Sequence, residues 1–186
     1  MNSIPTHCII TRRLVLRELN PVSYNQVMNS GNDAEIKTFF GMISDDELES
    51  ERLRHHQGLT MTGRSFLYFH LLDKTSEEVL GWCGYHTWFV QHRRAEIGYV
   101  LNQEKSKRQG YMSEALPEVI RYGFEVMQLN RIEALLSPKN IPSLKLIERN
   151  KFIREGLLRE HYIKNNTVED SLIFSILRRE YSGTTI

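Results

Sequence analysis

The stretch from residue 94 to residue 136 constrains the fold most. Arg94-Ala95-Glu96-Ile97-Gly98-Tyr99-Val100-Leu101 reads as a strand, residues 111–127 as a helix and residues 131–136 as a second strand. Strand, helix, strand in that order places two parallel strands in one sheet, because a parallel pair needs a long crossover. The helix carries Met112, Ala115, Leu116, Val119, Ile120, Gly123, Phe124 and Met127 at helical spacing, an apolar stripe that must lie against a core. Pro117 removes a donor inside it, which predicts a kink or local widening near residues 113–117.

The flanking segments add antiparallel pieces. Residues 9–17 alternate as one strand, with Leu14 and Leu16 pointing one way and Val15 and Arg17 the other. Asn20-Pro21 starts a helix toward Met28. Asp45-Asp46-Glu47 opens another, acidic where the helix dipole prefers it, with Leu48, Leu53 and Leu59 as its buried face and Gly58 and Gly63 near its end. Residues 66–72 and 79–86 form a hairpin around a polar turn. Residues 142–149 form a short helix capped by Asn140. Residues 152–162 and 168–177 pair around Asn165-Asn166. The class is α+β, or mixed α/β, with a mixed sheet. No repeat or linker interrupts it, so a single domain is expected over residues 1–186, with a core of about 9–180.

Composition narrows the partners. A formal net charge of +1 over 186 residues gives no basic field for nucleic acid or an anionic membrane. No apolar run approaches the roughly 20 residues of a membrane helix, and Met1-Asn2-Ser3-Ile4-Pro5 lacks the pattern of a signal peptide. Cys8 and Cys83 lie far apart and suit a reducing compartment, so a cytoplasmic location is expected. His70, His86 and His92 have no metal-ligand spacing, and no metal is expected.

Between the strand and the long helix lies Lys105-Ser106-Lys107-Arg108-Gln109-Gly110. A helix start presents unpaired N–H groups and about half a positive charge. Lys107 and Arg108 add full charges, and Gly110 lets the backbone approach an anion. Read alone, this is either a phosphate-binding turn or a surface loop that is basic by chance. The Walker and dinucleotide-binding glycine patterns are both absent.

The ordered set of segments is more specific. Residues 95–101 resemble the central strand of the GNAT superfamily of acetyl-coenzyme A-dependent N-acetyltransferases. Lys107-Arg108-Gln109-Gly110-Tyr111-Met112 resembles its pyrophosphate loop, Asn130-Arg131-Ile132-Glu133-Ala134 its next strand, Asn140-Ile141-Pro142-Ser143 its following helix start, and Gly156-Leu157-Leu158-Arg159-Glu160 its tail. The match is best to the RimJ/RimL-like, ribosomal-protein branch. The resemblance implies a mostly antiparallel, seven-stranded sheet whose central parallel pair splays to admit coenzyme A, flanked by helices. It also implies acetyl-CoA as cosubstrate, an amine acceptor such as a protein N-terminus, and a homodimer as a common assembly. Four places depart from the pattern, and in one of them Asn150-Lys151-Phe152 stands where a Gly-Phe turn is usual. Lys107 stands for a Gln or Arg, Met112 for a Gly or Ala, and Ile147 where many members carry a proton-donating Tyr.

The resemblance implies cofactor contacts at Tyr99, Val100, Leu101, Lys107, Arg108, Gln109, Gly110, Tyr111, Met112, Ser113, Asn140 and Ser143. It offers Glu96, Ser143 and Glu160 for catalysis. Glu96 is a base, or a structural carboxylate paired with Arg94 or Arg131. Glu160 is a second base, or a surface partner of Arg159 or Lys164. Ser143 donates to the leaving thiolate, or caps its helix. Asn140 binds pantetheine, or caps the same helix. Trp82, Tyr85, Trp88, Phe89, His161 and Tyr162 either line an acceptor slot or belong to the core. A small-molecule amine such as an antibiotic or polyamine is the alternative acceptor, and a non-catalytic coenzyme A-binding module the alternative function.

Overall fold

The computed structural model describes residues 7–58 and 63–183. The elements run β1 (Cys8–Ile10), β2 (Leu14–Leu19), α1 (Pro21–Ser30), α2 (Asp33–Phe40), α3 (Asp45–Gln57), β3 (Ser65–Asp73), β4 (Val79–Phe89), β5 (Arg94–Leu101), α4 (Tyr111–Glu125), β6 (Arg131–Leu136), α5 (Ile141–Arg149), β7 (Ile153–Lys164) and β8 (Thr167–Leu177). The strands form one eight-stranded sheet in the order β1-β2-β3-β4-β5-β6-β8-β7. Among them only β5 and β6 pair in parallel; every other neighbouring pair is antiparallel.

Strand alternation sorts the helices onto the two faces. Leu67, Phe69 and Leu71 of β3 join a core with the stripe of α4 and with Ile147 of α5. Phe66 and Tyr68 point the other way, into a smaller cluster with Tyr24 and Val27 of α1, Ile36 of α2 and Leu48 of α3. The sheet is thus sandwiched between α4–α5 and α1–α3.

Several expectations change. The sheet has eight strands, not seven, because residues 9–17 are not one strand. The chain turns at residues 11–13, and β1 folds back on β2 with Ile9 opposite Leu16. Helix α2 was not anticipated, although Asn32 and Glu35 form a reciprocal capping box at its start. In α3, Leu48 is buried but Leu53 is 60% exposed, while Leu59 lies outside the described residues, as do residues 1–5. Helix α4 runs unbroken through Pro117. Ser113, four residues earlier, is exposed, so water can meet the carbonyl that Pro117 leaves without a donor. Among the described residues no helix is long and apolar enough to cross a membrane.

Candidate active site

The site begins where the parallel pair ends. Arg94, Ala95 and Glu96 of β5 face Arg131, Ile132 and Glu133 of β6, and the pairing stops there. Beyond this fork β5 continues to Leu101 and β6 to Leu136 without bonding each other. Residues 97–101 therefore keep β4 on one side and present an open backbone edge on the other. A cleft of about 490 Å³ occupies the fork, lined by Glu96–Tyr99 of β5, Leu135 and Leu136 of β6, Asn140 and Ser143 at the start of α5, and Tyr162, Lys164 and Glu169 of the last hairpin.

An ion-pair network ties the strands together below the fork. Arg94 Nη1 donates to Glu133 Oε2 (3.0 Å) and Arg131 Nε to Glu133 Oε1 (2.7 Å). Arg131 also grips both oxygens of Glu155 on β7 (2.8 and 2.5 Å), and Ser175 of β8 donates to the same carboxylate (2.7 Å). Both arginines are therefore committed to Glu133 and Glu155, and neither forms an ion pair with Glu96. Burial raises the Glu96 pKa, the neighbouring Glu133 raises it further, and His161 draws it partly back.

A residue weighed in the sequence only as a metal ligand stands beside Glu96. His86 is the extra residue of a β-bulge in β4: Tyr85 pairs with Ile97 and Thr87 with Glu96, leaving His86 unmatched. A bulge re-aims its side chain, and His86 Nε2 reaches to 3.5 Å from Glu96 Oε1. Gly98 makes this possible, since a Cβ there would come within 2.7 Å of the imidazole. Burial lowers the His86 pKa, so the ring is neutral near neutral pH. The result is a neutral imidazole against a carboxylate of raised pKa at the base of the cleft.

The last hairpin covers the cleft for a similar reason. Between Leu158 and Tyr162 the β7–β8 register shifts, with residues 159–161 set against Asp170 alone. Glu160 sits on this bulge with φ of +51° and donates its amide to Asp170 Oδ1 at 2.7 Å. It is exposed and is not among the residues that line the cleft. Tyr162, anchored to Glu169 by its hydroxyl (3.1 Å), does line it. Of the other aromatics, Tyr85 is fully buried in the core, Trp82 packs on Tyr68 at 5.0 Å, and Phe89 lies under Arg94 at 4.0 Å.

The basic loop meets the open end of α4. Side chains cap the other four α-helices, through Asn20, Asn32, Ser44 and Asn140. Helix α4 has no side-chain cap; Gly110 precedes it with φ of +80°, and Arg108 also has a positive φ, +60°. The amides of Tyr111, Met112 and Ser113 thus start a helix with no side-chain acceptor among the described residues. Lys107, Arg108, Gln109 and Gly110 are exposed around them, with Lys107 ion-paired to Glu104. An uncapped helix start beside exposed basic side chains has the chemistry to accept an anion. Arg13, not singled out earlier, braces it: Nη1 donates to Gln109 O (2.8 Å), the guanidinium stacks on Tyr111 (4.5 Å), and Nε pairs with Glu114 (2.7 Å).

At the far wall, Asn140 Oδ1 accepts the Ser143 amide at 3.3 Å, so Asn140 does cap α5. Its side-chain nitrogen makes no hydrogen bond among the described residues, and Asn140 lines the cleft with Ser143. Ile147, where a tyrosine was sought, is fully buried in the core. Among the described residues no cluster of His, Cys, Asp or Glu is arranged to hold a metal ion.

A split parallel pair, an open helix start at one end and a half-buried carboxylate at the fork together suit a phosphate-bearing, extended donor. Residues 13–153 match the model of the acetyltransferase (GNAT) domain. The chain belongs to the GNAT acetyltransferase family. It is an N-acetyltransferase, and enzymes of this family use acetyl-coenzyme A as cosubstrate and an amine as acceptor. It is 33% identical over 177 residues to the uncharacterized N-acetyltransferase p20 of Bacillus licheniformis, covering 94% of this chain and 98% of that protein. It is 27% identical over 129 residues to the [ribosomal protein uS5]-alanine N-acetyltransferase of Escherichia coli, covering 69% and 63%. Its fold is similar to that of the spermidine/spermine N-acetyltransferase SpeG of Vibrio cholerae, with a TM-score of 0.65, 21% identity, and coverage of 92% and 96%.

Proposed function

We propose that this chain, acting as one domain, transfers acetyl from acetyl-CoA to a protein N-terminal α-amine by direct attack in a ternary complex. The observation that carries this is the pairing at the fork: Glu96 is the base the cleft offers, and the imidazole beside it is neutral and weakly basic. An α-amine with a pKa of about 7.7–8.0 is roughly a third neutral at pH 7.5, whereas an amine at about 10.4 is neutral only about one time in a thousand. A single carboxylate working through water suits the first and falls short of the second. The relatives include both an enzyme named for a ribosomal-protein alanine and one named for spermidine, so the amine's basicity is the discriminating quantity.

In this reading the open start of α4, with Lys107 and Arg108, takes the pyrophosphate. The free edge of residues 99–101 pairs with pantetheine as an added strand, and Asn140 donates to one of its amides. A β5 backbone N–H polarises the thioester carbonyl. Glu96 takes the proton that the attacking nitrogen loses. Ser143 donates to sulfur as the C–S bond breaks. The test is a panel of a ribosomal-protein N-terminal peptide, the same peptide with its terminus blocked and one lysine, and spermidine, followed by release of coenzyme A thiol. The free N-terminus should be acetylated fastest. Preference for spermidine or for lysine would overturn the acceptor.

A further inference from the structure

The bulge that leaves His86 out of register sets the next residue, Thr87, directly opposite Glu96. The imidazole between them is approached at both nitrogens. Nε2 lies 3.5 Å from Glu96 Oε1, and Nδ1 lies 3.1 Å from Thr87 Oγ1. Packing fixes the ring: a Cβ at Gly98 would come within 2.7 Å of its Cδ2 and 2.9 Å of its Nε2, so it lies on bare backbone. Other charged groups around Glu96 are engaged elsewhere. Arg94 on β5 and Arg131 on β6 are bonded to Glu133. Glu133 itself repels Glu96, and His161 on the β7 bulge attracts it while bonding Ser171 at 3.0 Å. Tyr162, Lys164 and Glu169 of the last hairpin line the same cleft. Among the described residues His86 is the one basic side chain that meets Glu96 at ion-pair distance.

We infer that Thr87 and His86 are positioning residues for Glu96: the Thr87 hydroxyl donates to Nδ1, the ring hydrogen stays on Nε2, and Nε2–H donates to Oε1. An ionised carboxylate can only accept, so the imidazole must bring a hydrogen to it. A neutral imidazole has one such hydrogen, so Nδ1 then carries a lone pair and takes the hydroxyl's. The other tautomer would set the lone pairs of Nε2 and Oε1 against each other. At 3.5 Å the contact is longer than a finished hydrogen bond, and such contacts tighten once substrate fills a site. This rests on the acetyl transfer proposed above. There the N–C bond forms, the C–S bond breaks with its electron pair leaving on sulfur, and the nitrogen's proton passes to Glu96. With Oε1 held by His86, Oε2 is the oxygen that receives it. The imidazole keeps its one hydrogen throughout, so His86 aims the base and is not itself the base.

The test uses the full chain with isotope-labelled histidine, and thermal melting checks that each variant folds. Nitrogen NMR of the rings reads the tautomer, and a His86 variant identifies the His86 signals. Wild type should carry the hydrogen on Nε2, and Thr87→Val, which lacks the hydroxyl, should show a mixture of tautomers. His86→Leu removes the donor and should lower kcat about tenfold, as for a lost hydrogen bond to a charged group. His86→Gln, whose amide can stand in for Nε2–H, should recover most of that loss. Thr87→Val should lower kcat about fivefold, the worth of one neutral hydrogen bond. It should also move the acid limb of kcat/KM up by about half a unit, since a weakened donor to the ionised form raises the carboxylate pKa. Thr87→Ser should behave as wild type in both, and in the His86→Gln background Thr87→Val should add less than about twofold. A wild-type ring with its hydrogen on Nδ1 overturns the inference, and so does an acid limb unmoved in Thr87→Val. His86→Gln as slow as His86→Leu overturns it too, and makes the imidazole the base. Wild-type protein that binds coenzyme A but acetylates no amine overturns the transferase reading instead, and the tautomer still decides whether Thr87 sets His86.

Discussion

Arg13 Nε lies 2.7 Å from Glu114 Oε2, and this contact joins the β1–β2 turn to the first turn of α4. The other carboxylate oxygen accepts the Thr11 hydroxyl (2.7 Å) and the Arg13 amide (2.6 Å). Burial alone would raise the Glu114 pKa, but the Thr11 and Arg13 hydrogen bonds and the Arg13 charge outweigh it and hold the group ionised. The same arginine reaches on to Gln109 and Tyr111. The backbone of the basic loop before α4 is therefore set by a side chain about a hundred residues away in sequence.

Replacing Arg13 with Ala should loosen that loop without touching the fork. The expected result is a KM for acetyl-CoA raised about tenfold, as for a lost charge-assisted hydrogen bond, with kcat changed less than about twofold. Steady-state kinetics at saturating acceptor checks it. A fall in kcat at constant KM would place the effect of Arg13 on the chemical step instead.

Much of this fold is legible in the sequence because local pattern and global structure agree there. The stripe of α4, the hairpin of β3 and β4, the Asn140 cap and the turn at Asn165-Asn166 are such cases. The break at residues 11–13 is not legible, since Thr11-Arg12-Arg13 holds no glycine or proline to mark a turn and its partner, Glu114, is supplied by tertiary structure. Helix α2 did carry a signal, the Asn32–Glu35 spacing. The site divides in the same way. Glycine and charge mark the loop before α4, but a bulge such as that at His86 belongs to a strand pair, and neither strand encodes it alone. Tyr99 was assigned only for its backbone, because which face of β5 meets α5 depends on the packing of the whole sheet.

Glu96 carries a pH prediction. Burial and Glu133 raise its pKa, so the base form is reached above the ordinary carboxylate range. The acid limb of kcat/KM should accordingly lie above pH 4.5. Glu96→Gln should remove the part of that limb due to Glu96 and lower kcat about 100-fold or more. A pH–rate profile on an α-amine acceptor measures both. A glutamine variant with near wild-type kcat would leave Glu96 a structural carboxylate.

Gly123→Ala tests how closely α4 sits on the sheet. Glycine in a helix interior usually costs about 1 kcal/mol relative to alanine, so substitution would ordinarily stabilise. Here a Cβ would fall 2.1 Å from the Tyr85 hydroxyl and 3.1 Å from Ile132 Cδ1. Tyr85 is fully buried and donates to Val119 O at 2.8 Å, so it cannot withdraw. Overpacking of this kind costs typically 1–3 kcal/mol and should win. The melting temperature should drop by about 2–6 °C. Tyr85→Phe, which removes the clashing oxygen, should recover part of the loss in the double variant, a coupling that calorimetry can read.

Glu155 gives the acid response of the network below the fork. Hydrogen bonds from Arg131, then from Ser175, draw its pKa down to about 2 against the opposing effect of burial. A carboxylate whose folded pKa is depressed adds stability that is fully present above its unfolded value, near 4.5, and is lost as pH falls through about 2. Wild-type protein should therefore lose more stability than Glu155→Gln as pH falls from about 5 to about 2, and the two should converge at the acid end. The Glu155 side chain is 39% exposed, so solvent and salt screen the pair and the difference should shrink at high ionic strength. Denaturant unfolding at several pH values measures it. Parallel stability curves for the two proteins would mean that Arg131 holds β7 to β6 no more tightly through a charged partner than through a neutral one.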